Sequence, residues 1–258
     1  MKGFQFRYVR TTTILLLILV LGRTADGQEK ATGAPAVPRG FTSLFNGQDF
    51  TGGTLPEGDN GHWKVVDGVI DYDALSEAAP GKRHVWSEKE YADFVLMADW
   101  KIKKPSGTYD MPIVLAAGTN LKDDSGAEIK LPMPNADSGI FLRGEHKSQV
   151  NIWCWPVGSG EVFGYRNDMT MPAEVRAGVT PKMRADNPIG EWNTFVIVMV
   201  GERLTVILNG HQVIENARLP GVPASGRLAL QSHGRIFDGE LLPASSLVQF
   251  RNIFIREL

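Results

Sequence analysis

From residue 41 onward the chain alternates between apolar and polar positions. Residues 93–102 are the clearest case: Phe94, Leu96, Ala98, Trp100 and Ile102 fall on one face, and Val95, Met97, Asp99 and Lys101 on the other. That period of two is what a half-buried strand requires. Shorter runs occupy 62–66 and 69–72 around Asp67-Gly68, and 203–208 and 211–214 around Asn209-Gly210. Asp-Gly and Asn-Gly tolerate the positive φ angles of a two-residue turn, so both pairs predict hairpins. Further strands are predicted over 139–143, 149–155, 192–200, 227–233 and 248–255. No stretch keeps helical periodicity for three turns, and no internal repeat is present. Short strands at regular spacing predict an all-β domain, an antiparallel sandwich or jelly roll.

Two stretches break the alternation. Residues 103–137 are rich in Pro, Gly and Asp, and residues 164–190 contain Pro172, Pro181 and Pro188. Loops of that length in a compact domain are functional, disordered or plain surface insertions. Both are expected near the mouth of a site, with a surface insertion the alternative for the first. Residues 1–27 follow another pattern: Lys2, Arg7 and Arg10 precede the apolar run 14–21, and Ala25 and Gly27 supply small residues for cleavage. The run is too short to span a bilayer, and the arrangement predicts a secretory signal peptide cleaved after Gly27. An uncleaved signal anchor is the alternative. Residues 28–39 have linker composition, so one domain over 40–258 is expected outside the cytoplasm, periplasmic or extracellular.

The full chain carries a formal charge of −2. Loss of residues 1–27 removes four basic residues and one acid, leaving 23 − 28 = −5. The basic residues are scattered, so neither nucleic acid nor an anionic membrane is an expected partner, and membrane contact is expected only through an uncleaved signal segment. The single cysteine, Cys154, excludes an intramolecular disulfide.

Candidate chemistry lies on the polar faces of the strands. Gln149, Asn151 and Trp153 share one face of their strand, opposite Val150, Ile152 and Cys154. Buried amides need partners, whereas two amides and an indole suit a sugar, with hydroxyls to bond and an apolar ring face to cover. A polar sheet face in solvent is the alternative. Arg143 is in phase with Phe141 near a strand end, with Glu145 and His146 just beyond, and Gln231 shares a face with His233. An exposed ion pair for Arg143 and a turn-stabilising role for His233 are equally compatible with the pattern. The E-x-D-x-x-E run of sandwich glucanases is absent, as are G-x-S-x-G, H-E-x-x-H and C-x-x-C. A two-carboxylate glycosidase mechanism therefore has no visible support. No cofactor or metal requirement is legible.

Several runs resemble the 3-keto-disaccharide hydrolase domain family. The opening Gly40-Phe41-Thr42-Ser43-Leu44-Phe45-Asn46-Gly47-Gln48-Asp49-Phe50 is similar to its G-F-x-x-L-F-N-G-x-D-L start. Trp63-Lys64-Val65-Val66-Asp67-Gly68, Asp137-Ser138-Gly139-Ile140-Phe141-Leu142-Arg143-Gly144 and Leu230-Gln231-Ser232-His233-Gly234 continue the match, and Phe250-Arg251-Asn252-Ile253 closes it. The resemblance implies a concanavalin-like jelly roll acting on glycosides already oxidised at C3. The ketone acidifies the C2 proton, its removal expels the C1 substituent, and water then adds back, giving net hydrolysis. Such a site needs a base, a donor or cation for the enolate oxygen and an acid for the leaving group. The resemblance implies His233 or Glu145 as base, Arg143 at the enolate oxygen and Lys101 as an auxiliary, with Asp99 an alternative base. Gln149, Asn151, Trp153 and Gln231 would orient the sugar, and Arg143 and His233 would converge on one cavity. One position departs from the pattern: Gln149 stands where many members carry glutamate. A non-catalytic glycan-binding module and a structural surface protein are the rival readings.

Overall fold

The computed structural model describes residues 36–234 and 245–258, with the backbone alone of two short strands between them. The expected signal peptide (1–27) and residues 28–35 of the expected linker lie outside the described residues. Two antiparallel sheets face each other. In the first, the order is β13 (His211–Arg218), β12 (Arg203–Leu208), β11 (Asn193–Val200), β6 (Phe94–Ile102), β17 (Val248–Glu257), β4 (Val69–Tyr72) and β3 (Trp63–Val66), and β1 (Thr42–Ser43) also pairs with β17. In the second it is β10 (Glu145–Trp153), β9 (Asp137–Leu142), β14 (Gly226–Leu230), β5 (Val85–Tyr91) and β2 (Gly53–Thr54). Two hairpins stand apart, β7 (Thr108–Pro112) with β8 (Lys130–Pro134) and β15 (Ile236–Phe237) with β16 (Glu240–Leu241). The helices α1 (Phe163–Arg166) and α2 (Ala173–Gly178) are short. The fold is the expected jelly-roll β-sandwich.

The core is made by the alternation. Phe94, Leu96, Ala98, Trp100 and Ile102 of β6 are all buried between the sheets, against Ile140, Leu142, Val150 and Ile152 from the other side. Each large apolar side chain removed from water contributes about 1.5–3 kcal/mol before entropy is counted. Both predicted hairpins form. Asp67 and Gly68 have φ of 50° and 76°, and Asn209 and Gly210 have 51° and 83°, the left-handed pair a two-residue turn demands.

The stretch 103–137 is not all loop, contrary to expectation. It forms the β7–β8 ladder, extended by pairings of Val114 with Asn120 and Lys122 with Glu128. Pro112, Pro132 and Pro134 fit because a two-stranded ladder is all edge, where a missing N–H can face solvent. Residues 164–190 fold over the end of β10, where Gly164 packs so closely that a Cβ would lie 2.7 Å from Lys147 Cα. Strand β5 is absent from the sequence reading, because its charged centre Glu88-Lys89-Glu90 hides the alternation.

Candidate active site

The face of the five-stranded sheet turned away from the core carries a cluster of imidazoles and aromatic rings. Val85 points into the core, so its neighbours His84 and Trp86 point out. There His84 meets Phe141 edge-on at 4.8 Å between ring centroids, and His146 stacks on Phe141 at 4.4 Å. His84 and His146 are 5.3 Å apart. His84 is buried, and its Nδ1 accepts the Ser232 backbone N–H at 3.1 Å. With Nδ1 an acceptor, the ring proton sits on Nε2. Burial, aided by the positive fields of His146 and His233, lowers the His84 pKa to about 4. The ring is therefore neutral at ordinary pH.

The segment carrying Gln231 and His233 is pinned from several sides. Gln231 N–H donates to Gly139 O at 2.8 Å, Tyr72 Oη and Ser232 Oγ lie 2.9 Å apart, and Arg83 donates to Gly234 O at 3.3 Å. Ser246 Oγ accepts the His233 backbone N–H at 2.6 Å while donating to Asp137 O at 2.5 Å, which places His233 beside Asp137. Asp137 Oδ1 is enclosed and has no hydrogen-bond partner among the described residues. Burial pushes its carboxyl up to about 6, with His233 pulling the other way.

Gln149 and Gln231 form the floor. Gln149 Nε2 donates to Ser138 O at 3.1 Å and to Gln231 Oε1 at 2.6 Å. Because Ser138 O can only accept, the orientation of both amides is fixed. Gly139 makes this possible: a Cβ there would stand 2.8 Å from Gln149 Cγ. Gln149 and Gln231 are thus brought together.

The other expected site residues are elsewhere. Arg143 does not converge with His233. It sits in the β9–β10 turn at φ 51°, which takes its side chain out of phase with Phe141. Its buried guanidinium donates to Ala92 O, Gly201 O and Pro223 O and pairs with Asp93 at 2.9 Å. Six residues of strand separate it from Asp137, roughly 20 Å at the usual rise. Asp99 and Lys101 lie on the outer face of the opposite sheet. Asp99 accepts from Thr194 and Asn252, and Lys101 rests on the Trp192 ring at 4.7 Å. Glu145 is exposed at the start of β10, next to His146 in the chain, and its charge adds to the burial that raises Tyr165.

Asn151 and Trp153 are on the expected face but covered. Asn151 Nδ2 donates to Glu161 O at 3.0 Å. Trp153 is 3% exposed, stacks on Trp155 at 4.2 Å and donates to Gly158 O at 2.7 Å. Trp153 is therefore no open platform on this face. The segment covering it carries a buried ion pair, Glu161 with Arg166, and Arg166 also donates to Asn120 Oδ1 at 3.2 Å. Burial raises the Glu161 carboxyl against the pull of Arg166. Among the described residues no group of three or more His, Cys, Asp or Glu is placed to hold a metal ion.

A family model, the 3-keto-alpha-glucoside-1,2-lyase-like domain, matches residues 40–256. The chain belongs to that family, and with it to a carbohydrate-acting class of proteins. Among solved structures it is similar to two proteins from Parabacteroides distasonis ATCC 8503, each proposed to be a glycosyl hydrolase. One is 21% identical with TM-score 0.52, the match covering 85% of this chain and 84% of that one. The other is 20% identical with TM-score 0.51, over 85% and 94%. At that identity they support the fold alone. A comparison with curated proteins gave no match.

Proposed function

We propose that the protein is an exported enzyme that cleaves 3-keto-glycosides by elimination and rehydration. The observation that carries this reading is the fixed, neutral His84, whose Nδ1 is occupied by Ser232 N–H so that Nε2–H is the ring's donor. A neutral imidazole N–H beside a carbonyl stabilises an enolate without needing a full positive charge. In the reaction, the Asp137–His233 pair takes the C2 proton and the electron pair moves onto the C3 oxygen, facing His84. The enolate then collapses: C3=O re-forms, C1=C2 forms and the C1–O bond breaks. His146 gives a proton to the departing oxygen. Water adds to C1 and a proton returns to C2, releasing the 3-keto sugar. Gln149 Oε1 and Gln231 Nε2, the ends of the amide pair not spent on each other, orient the hydroxyls.

Gln149 in place of the glutamate common in the family favours one alternative, a glycan-binding module without turnover. Incubation of residues 28–258 with 3-keto-trehalose or 3-keto-sucrose separates the two. Release of free sugar, with unoxidised disaccharides left intact, is the expected result, and retention of the keto sugar without release supports the binding module. Equal cleavage of unoxidised disaccharides excludes the elimination.

A further inference from the structure

The bond from Ser232 N–H to His84 Nδ1 is held at both ends by one pair of stacked rings from the opposite sheet. Trp63 opens β3 and Tyr72 closes β4. The two are cross-strand partners, and their rings stack at 4.0 Å with 12° between planes. Trp63 Nε1 donates to Arg83 O at 2.8 Å, the carbonyl of the peptide that leads into His84. Tyr72 Oη lies 2.9 Å from Ser232 Oγ. We propose that Tyr72 is a positioning residue, which acts through Ser232 to fix the tautomer and aim of His84. The effect on the imidazole stands on this geometry alone, whereas the effect on turnover rests on the reaction proposed above.

The Tyr72 hydroxyl is the feature that packing does not explain. Both rings are buried, and a phenylalanine at 72 would stack on Trp63 equally well. A buried hydroxyl is costly unless it is bonded. Burial pushes the Tyr72 pKa up, against the pull of the Ser232 hydroxyl and of Arg83, so the group is a neutral phenol at ordinary pH. The frame around it is closed. His62 Nδ1 sits 3.0 Å from Asp73 Oδ1 and clamps the end of the β3–β4 hairpin. Arg83 donates from Nε to Ala78 O at 2.8 Å and from Nη1 to Gly234 O, two residues beyond Ser232. The stack thus grips the backbone entering His84 on one side and the Ser232 side chain on the other.

A neutral imidazole has two tautomers, and a donor fixed at Nδ1 selects the one with its proton on Nε2. The same donor opposes the imidazolium, because a protonated Nδ1 has no lone pair to accept it. Without the Tyr72 hydroxyl, Ser232 keeps its neighbours' backbone bonds but loses the tether of its own side chain. Its N–H then loses its aim, the ring exchanges tautomers, and its pKa moves up from the depressed value that burial and the fields of His146 and His233 impose.

The test is heteronuclear NMR of the histidine side chains in the purified protein, in Tyr72→Phe and in Ser232→Ala, with His84→Asn assigning the signal. In the parent the neutral His84 ring is expected as one tautomer, with the proton on Nε2. Either variant should populate the other tautomer and raise the His84 pKa by about half a unit or more, the size set by most of one net hydrogen bond. The two changes together should add little to either alone, since both remove the same bond. Ser232→Ala alters no ring, so it keeps the test open if Tyr72→Phe fails to fold. An unchanged tautomer and pKa in the variants, even with lowered stability, overturns the proposal. On a 3-keto disaccharide Tyr72→Phe should lower kcat about fivefold with KM unchanged, and should cost nothing further in the His84→Asn background. An equal further loss in that background also overturns it. A parent protein with no turnover overturns the reaction instead, and the NMR result alone then decides the role of Tyr72.

Discussion

Gln149 and Gln231 reach each other across the intervening strand β9, their side chains 2.6 Å apart over the bare backbone of Gly139. Glycine at 139 and glutamine at 149 are one feature: the amide lies flat only because no Cβ rises beneath it. The same arrangement explains why glutamine suits this position. A carboxylate at 149 could not donate to Ser138 O or to Gln231 Oε1.

Gln149→Glu should therefore cost stability, about 1–3 kcal/mol from the buried carbonyl left unpaired and the carboxylate beside it. Urea denaturation of the variant against the parent chain checks this. An unchanged midpoint would mean that Gln231 turns its amide to donate, and that the site accepts either residue.

Arg143→Lys should damage the fold and spare the chemistry. The guanidinium ties three backbone carbonyls to Asp93 in a planar fork that an ammonium cannot reproduce. A loss of about 2–4 kcal/mol is expected from charge-assisted bonds of this kind. Turnover per folded molecule should stay within about twofold, since six residues of strand separate Arg143 from Asp137. Denaturation and active-site-normalised kinetics together check both halves.

The strands of the sandwich were legible wherever one face is apolar and the other polar, as in β6. The site was legible only in part, and the misses have physical causes. Alternation puts Arg143 on the wrong side because the turn residue of an Arg-Gly pair, at positive φ, leaves the pleat that alternation assumes. His84 leaves no signal in the sequence because it precedes β5, whose exposed charges mask its period of two. Asp99 and Lys101 read correctly as an outward face, but alternation along one strand does not say which sheet that face belongs to. Trp153 lies on the expected face yet is covered by Trp155, two residues on, where the chain turns back over the sheet. Tertiary cover of that kind leaves no local periodic signal.

Arg166→Met should be among the most destabilising single changes away from the apolar core. It removes the only cationic partner among the described residues of Glu161, which is fully buried. Breaking one side of a buried pair leaves a charge that must be neutralised or solvated, at about 3–5 kcal/mol. The paired change Glu161→Gln with Arg166→Met should recover much of that loss, and the double-mutant cycle by thermal denaturation measures the coupling.

His84→Asn separates catalysis from stability. Asparagine Oδ1 can still accept Ser232 N–H, so the local backbone bond survives, but the ring's Nε2–H is gone. Loss of one positioned donor at a developing oxyanion typically lowers kcat about 10²–10³-fold, and that is the expected effect on release of sugar from a 3-keto disaccharide. Stability should respond differently. In the folded chain the His84 pKa is lowered to about 4, against an unfolded value of 6.5. Above pH 6.5 both states hold the ring neutral, so this group carries no penalty. As pH falls from 6.5 towards 4 the unfolded chain binds the proton first, and the folded state loses relative stability through that window. An asparagine side chain cannot titrate, so the variant should lose less stability than the parent between pH 6.5 and 4, whatever its stability at neutral pH. Chemical denaturation at a series of pH values reads the difference. Parallel curves for the two proteins would mean that His84 titrates normally, and that its Nδ1 is not held by Ser232 as an acceptor.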